Sequence, residues 1–229
     1  MALSVTSEVP TPHLDGKNGN DVSEVAAHFK FQALPNSCYP TCIFNVLKAL
    51  ANSHHYPPIG LPEQRVNKLC GYKLNFGPDM SVVVPNMNKA LRSYGYGVYT
   101  QVSMTYNALV KIIEDKETSY QSIEVSYEYL EDRGGEAVKL DISYPPDHML
   151  IVLSCNATET IIFDPYDARS RAMQGLSDRI GRGLYVISTG QMTEYWEKAF
   201  IGSWAFWVRR RGKETTKSTL LEQYPSEAI

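Results

Sequence analysis

The chain has 229 residues, a formal net charge of −3 and 43% hydrophobic residues, which suffices for one sizeable core. The acidic balance provides no global positive field, so a nucleic-acid partner is excluded at this stage, and the only basic run, 209–211, closes a predicted strand. No apolar stretch reaches the roughly 20 residues that a membrane span requires.

The first half of the sequence is predicted to be mostly helical. Residues 1–21 have the proline, glycine and polar composition of a flexible arm, and a single domain is predicted for 22–211. Apolar residues then recur every three or four positions, which predicts helices from Tyr39 onward and at 61–69, 80–94 and 106–117. The glycines that follow the third helix predict a turn into a strand at 98–102.

The second half changes to the alternating pattern of half-buried strands. Strands are predicted around 123–127, 138–142, 149–153, 160–163, 183–187 and 203–208, with a short helix at 192–200. Residues 212–229 are predicted to form a flexible tail. Early helices and late strands predict an α+β fold, in which one layer of N-terminal helices packs against a C-terminal antiparallel meander.

A cysteine at the start of the first long helix is the predicted nucleophile. Cysteine attacks as the thiolate, and both a helix N-terminus and a neighbouring imidazole stabilise that negative charge. Cys38 is the cysteine in this position. Gln32, six residues upstream, is predicted to donate to the developing oxyanion together with backbone amides at the helix start.

His148 and Asp164 are the predicted base and its orienting carboxylate. His148 directly precedes one predicted strand, and Asp164 ends the next. A hairpin with Ile151 opposite Ile161 would bring these two side chains level. The spacing therefore predicts a Cys-His-Asp triad with a glutamine oxyanion donor.

Three blocks of this sequence resemble the papain-like cysteine peptidases, and within them the bacteriocin-processing type that cleaves double-glycine leader peptides. The blocks are Gln32-Ala-Leu-Pro-Asn-Ser-Cys38, Asp147-His148-Met149-Leu150-Ile151-Val152 and Ile162-Phe163-Asp164-Pro165. The resemblance implies a papain-like fold and hydrolysis of a peptide or protein substrate through an acyl-thioester, with no cofactor and no metal. It places the oxyanion glutamine at Gln32, the nucleophile at Cys38, the base at His148 and the orienting carboxylate at Asp164.

Three other interpretations use the same residues differently. Family members usually carry glycine after the nucleophile, and Tyr39-Pro40 in this chain favours a catalytically inactive module that binds peptides. A thiol acyltransferase, in which an amine accepts the acyl group, needs no other residues. A metal site would draw on cysteines and histidines whose spacing matches no strong zinc pattern, namely Cys38, Cys42, His54, His55 and Cys70.

The four cysteines are predicted to be free thiols. A chain with an ample core and no recognisable secretion signal does not need disulfides, which predicts a reducing, cytoplasmic compartment. The aromatic-rich segment around 195–207 is predicted to be core rather than a substrate wall, and nothing in the sequence indicates an oligomeric state.

Overall fold

The computed structural model describes residues 21–34, 36–52, 59–74, 78–126, 147–166, 178–199 and 202–211. The helices are α1 (Val22–Ala27), α2 (Cys38–Asn52), α3 (Glu63–Leu69), α4 (Met80–Leu91), α5 (Tyr106–Glu114) and α6 (Thr189–Glu197), and a 3₁₀ turn, Arg92–Tyr94, follows α4. Within these ranges no helix combines the length and the apolar content needed to cross a bilayer. The strands predicted at 123–127 and 138–142 lie partly and wholly outside the described residues.

Seven strands form one sheet in which every pairing is antiparallel. They are β1 (Tyr96–Gln101), β2 (Gln121–Ser126), β3 (Asp147–Cys155), β4 (Glu159–Phe163), β5 (Asp178–Gly181), β6 (Leu184–Ser188) and β7 (Ala205–Arg210), in the order β1-β7-β2-β3-β4-β6-β5. The last strand therefore lies between β1 and β2, where Val208 is opposite Val98 and Phe206 is opposite Ser122. The predicted meander holds for the predicted strands that became β2, β3, β4 and β6, which are neighbours in this order, and fails for β7. A local pattern does not specify which distant strands pair.

Helices cover both faces of the sheet. Met149, Ile151 and Leu153 of β3 pack in one core with α1 to α4, while Leu150 and Val152 of the same strand pack in a second core with α5 and α6. The α+β class and the antiparallel sheet are confirmed. The prediction of a single helical layer is wrong, because α5 and α6 bury the other face.

One helix end differs from its predicted position for a local reason. Helix α5 ends at Glu114 rather than at 117. The hydroxyl of Thr118 donates to the carbonyl oxygens of Ile112 at 2.6 Å and Asp115 at 2.8 Å, and so satisfies groups that the helix end leaves open. Thr118 then forms an isolated bridge with Arg209 of β7. The chain thus leaves the helix in order to join the sheet.

The aromatic segment near the end of the domain is core, as predicted. Its described members are buried, namely Tyr195, Trp196, Trp204, Phe206 and Trp207. The indole nitrogen of Trp196 donates to the Trp204 carbonyl at 2.8 Å, which ties α6 to the start of β7. Phe200 lies outside the described residues.

Candidate active site

Cys38 is the first residue of α2, and the turn before the helix sets its position. Asn36 has a φ of 57°, a left-handed conformation that asparagine adopts more readily than most residues. The Ser37 hydroxyl donates to the Leu34 carbonyl at 2.7 Å and closes the turn. The Ser37 carbonyl accepts the N–H of Thr41 at 3.0 Å, the first bond of the helix. The Cys38 thiol therefore lies at a helix N-terminus, where the helix dipole stabilises negative charge.

His148 of β3 connects this thiol with a buried carboxylate. Its Nε2 lies 2.7 Å from Oδ1 of Asp164, and the two side chains are 4% and 0% exposed. Cys38 lies close enough to the same imidazole to help raise its pKa. Because Nε2 faces Asp164, Nδ1 is the ring nitrogen left for the sulfur. The order of sulfur, imidazole and carboxylate is that of a nucleophile, its base and the group that orients the base.

The surroundings of His148 favour its protonated form. Burial opposes the charge, but the Asp164 carboxylate and the hydrogen bonds to Asp164 and Cys38 outweigh burial and raise the pKa of His148 to about 10. The balance of these effects favours an imidazolium beside the thiol and the carboxylate. Such a cation stabilises a neighbouring thiolate.

Asp164 is fixed by the backbone around it. Its N–H donates to the Gly183 carbonyl at 2.8 Å, and its Oδ1 also accepts the N–H of Tyr166 at 2.7 Å. Gly183 has a φ of +73°, and a Cβ there would lie 2.8 Å from the rings of Phe163 and Phe31. Glycine is thus required at position 183 both by conformation and by space.

The register of the β3–β4 hairpin differs by two residues from the predicted one. Ile151 is opposite Phe163 rather than Ile161, and the register shifts between residues 152 and 154. The paired part of β4 ends at Phe163, and Asp164 follows it directly, with its Oδ1 2.7 Å from Nε2 of His148.

The backbone of Gln32 is hydrogen-bonded to Pro165, the residue that follows Asp164. Its N–H donates to the Pro165 carbonyl at 2.9 Å. Its side-chain oxygen is buried and accepts no hydrogen bond from any residue in the described ranges. The fold thus brings Gln32, Cys38, His148 and Asp164 to one region, and the role of Gln32 as oxyanion donor stays a prediction.

Tyr39, the residue after the nucleophile, belongs to the core. It is 7% exposed, its hydroxyl donates to the carboxylate of Glu124 on β2, and its ring centroid lies 5.9 Å from that of Trp204. The phenol is therefore held between α2 and the sheet. The ring does not separate Cys38 from His148. The presence of Tyr39 in place of glycine is therefore no argument for an inactive module. Glu124 was not predicted, because it alternates with Ser122 and Ser126 in β2, which is the pattern of a solvent-facing strand position.

The other three cysteines are in surroundings that keep thiols protonated. Burial raises the pKa of Cys42 well above its usual value, Cys38 adds to the shift, and the Cys42 sulfur donates to the Met149 carbonyl at 3.2 Å. Burial raises the pKa of Cys70 to about 12 and that of Cys155 to about 11. Cys38 alone among the four lies against an imidazolium.

The alternative metal site finds no support in the part of the chain that can be described. There, no group of three or more histidine, cysteine, aspartate or glutamate side chains could hold a metal ion. Of the residues proposed for it, His54 and His55 lie outside the described ranges.

The comparisons with known proteins bear on the fold. No sequence-family profile and no curated protein matches the sequence. One similar solved structure is a double-glycine motif protease from an AMS/PCAT transporter in complex with the leader peptide, with 15% identity, coverage of 80% of this chain and 90% of that chain, and a TM-score of 0.44. Another is designated a C39-like peptidase from Bacillus anthracis, with 12% identity, coverage of 82% and 97%, and a TM-score of 0.52. The predicted resemblance to papain-like peptidases of this type is confirmed as a resemblance of fold.

Proposed function

We propose that this chain is a cysteine peptidase that hydrolyses a peptide bond in a peptide or protein substrate. The observation that carries the proposal is the position of Cys38 at the N-terminus of α2, beside an imidazole, His148, whose Nε2 lies 2.7 Å from the Asp164 carboxylate. The likeness of fold to a C39-like peptidase, with a TM-score of 0.52, supports it.

The proposed reaction begins with attack of the Cys38 thiolate on the substrate carbonyl carbon. A sulfur–carbon bond forms, and the electron pair of the carbonyl π bond moves to oxygen. The side-chain amide of Gln32 and the backbone N–H of Cys38 donate to this oxyanion. His148 gives its proton to the leaving amine as the carbon–nitrogen bond breaks, and an acyl-thioester remains. Water, deprotonated by His148, then hydrolyses the thioester and restores the thiol.

The test is turnover of a peptide library by the purified protein, with products identified by mass spectrometry. We expect Cys38→Ala and His148→Ala to lower turnover by about 10³-fold or more. Cys155→Ala is the matched control, because Cys155 is the most exposed of the remaining thiols. Products bearing an added amine instead of a new carboxylate would identify an acyltransferase.

A thiol-alkylating probe provides an independent measurement. We expect it to label Cys38 between about pH 6 and 9, to label Cys155→Ala equally, and not to label Cys38→Ala. Absence of labelling in the unsubstituted protein over that range, together with absence of turnover, would refute the proposal.

A further inference from the structure

A buried amide lies two turns along α2 from Cys38, on the side of the helix that meets the segment carrying Gln32. Asn45 is fully buried. Its Nδ2 donates to the Lys30 carbonyl at 2.8 Å, and its Oδ1 accepts the Lys30 N–H at 2.8 Å. One side chain therefore satisfies both main-chain polar groups of Lys30, as a neighbouring strand would.

Lys30 is two residues ahead of Gln32, so this clamp holds the segment that carries the predicted oxyanion donor. The other end of the segment is held by the bond from the Gln32 N–H to the Pro165 carbonyl. The segment is thus bound at one end to the helix of Cys38 and at the other to the residue after Asp164.

The side chains of the segment do not provide an equivalent attachment to α2 near Cys38. The Lys30 ammonium pairs with Glu63 of α3 at 2.8 Å and lies over the Phe44 ring of α2, 5.2 Å from its centroid. The Phe29 and Phe31 rings pack on Phe163 of β4, with centroids 5.0 and 5.3 Å away. Lys48 of α2 also donates to the His28 carbonyl at 2.8 Å, in an exposed hydrogen bond. The bond to Asn45 differs from these contacts because it is bidentate and comes from a fully buried side chain.

We propose that Asn45 is a positioning residue for the oxyanion donor, fixing the Gln32 amide relative to the Cys38 sulfur. The inference rests on the proposed function, in which those two groups act on one carbonyl. A donor misplaced by about 1 Å costs on the order of 10²-fold in rate. The effect falls on the charged transition state more than on substrate binding, because the oxyanion exists only after attack.

A purely structural role has a matched control within the same chain. Asn88 of α4 clamps Val98 of β1 in the same manner, with its Nδ2 donating to the carbonyl at 3.2 Å and its Oδ1 accepting the N–H at 2.9 Å. Val98 is not part of the segment that carries Gln32. If clamping a backbone matters only for stability, Asn45→Ala and Asn88→Ala should behave alike.

The experiment compares Asn45→Ala, Asn88→Ala, Gln32→Ala and the double variant Gln32→Ala/Asn45→Ala. We expect both asparagine variants to melt at lower temperature. At a temperature where all are folded, Asn45→Ala should lose about 10- to 10³-fold in kcat with less than about a threefold change in KM, and Asn88→Ala should retain kcat. The double variant should be no slower than Gln32→Ala, because Asn45 acts through Gln32.

A graded variant keeps the test decisive if Asn45→Ala does not fold. In Asn45→Asp, a neutral carboxylic acid can still donate and accept at Lys30, whereas the ionised form repels the Lys30 carbonyl. We therefore expect the ratio of its kcat to that of the unsubstituted protein to rise as the pH falls. A ratio that is constant with pH would overturn the inference.

Two further results would overturn the inference without touching the proposed function. They are an unchanged kcat in folded Asn45→Ala, and losses that multiply in the double variant. Alkylation of Cys38 should proceed at the same rate in Asn45→Ala, because the pair with His148 does not involve the clamp. Failure of the proposed function looks different, since turnover would then survive Cys38→Ala.

Discussion

The proton on His148 is subject to two opposed effects. Burial disfavours the imidazolium, whereas the Asp164 carboxylate 2.7 Å away favours it, and the carboxylate prevails. Because the folded-state pKa, about 10, exceeds the unfolded value of about 6.5, the stabilisation is complete below about pH 6.5 and is lost as the pH rises through about 10. The charge pair thus contributes to the stability of the folded protein over the whole neutral pH range.

The alkaline limb of the pH–rate profile should report this shift. We expect kcat/KM of the unsubstituted protein to fall only as the pH approaches about 10. Asp164→Asn removes the favourable charge, so its alkaline limb should move down toward about pH 6.5. Asp115→Asn is the control, since Asp115 pairs with Arg209 at 3.3 Å away from the triad. Coincident limbs for Asp164→Asn and the unsubstituted protein would contradict this account.

Gly183 supports Asp164 and should tolerate no side chain. We expect Gly183→Ala to combine a left-handed backbone penalty of about 1–2 kcal/mol with an overpacking cost of about 1–3 kcal/mol in the free energy of unfolding. Gly95→Ala isolates the first contribution, because Gly95 has a φ of +79° but no atom within 4 Å of the added Cβ. Urea unfolding of both variants measures the difference. Equal costs would show that the clash with Phe31 and Phe163 relaxes freely.

Helix α2 connects several parts of the molecule through neighbouring residues. Its first residue meets His148, its second meets Glu124 of β2, and Asn45 clamps Lys30. The Tyr39–Glu124 hydrogen bond is buried and joins the helix start to the centre of the sheet. The position of the nucleophile therefore depends on how the first turn of α2 docks against β2.

Removing one hydroxyl should test this docking. Tyr39→Phe keeps the ring against Trp204 but takes a donor from a buried carboxylate, so we expect a loss of about 1–3 kcal/mol in the free energy of unfolding. Tyr106→Phe is the control, because the Tyr106 hydroxyl bonds to Thr160 at 2.8 Å in a half-buried site and should cost less. Equal losses in chemical denaturation would argue against a special role for the Tyr39 bond.

The elements that could be predicted from sequence are those in which apolar residues recur with a regular period over several turns or residues. Helix α2 and strand β4 have such a pattern. Helix α1 and strand β5 do not, and they were not predicted. Helix α1 has six residues, and its main signal is the Asp21 side chain that accepts the N–H of Ser23 at 2.7 Å. Strand β5 has one apolar residue, Ile180, and exists through its pairing with β6. Short elements of this kind depend on tertiary contacts that a local pattern does not contain.

The candidate site was predictable in its reactive residues but not in its supports. Cys38 and His148 could be found because one mechanism requires both residue types at particular element ends. Asn45 and Glu124 are buried polar residues whose partners come from other segments of the chain. Both have polar residues at neighbouring positions of their own element, Thr41 and Lys48 for Asn45 and Ser122 and Ser126 for Glu124, so the sequence pattern does not mark them as buried.

For the molecule as a whole, β7 is the strand that joins β1 to the rest of the sheet. A chain ending at residue 203 lacks β7 and leaves β1 and β2 without their shared partner, so we expect it to show no cooperative unfolding. A chain ending at 211 keeps the bonds from Arg211 to Gly95 and Tyr96, and tests the predicted domain boundary. We expect it to retain its melting temperature and turnover. Cooperative melting of the shorter chain would contradict the role assigned to β7.

The same arrangement affects how the protein is made. A ribosome delivers Cys38, His148 and Asp164 well before it delivers β7, and until that last strand arrives β1 lacks its partner in the sheet and one edge of β2 is unpaired. An open strand edge is a template for pairing with another chain. A translation product broken off before β7 would therefore be prone to associate with other chains through β2, although it carries all the reactive groups.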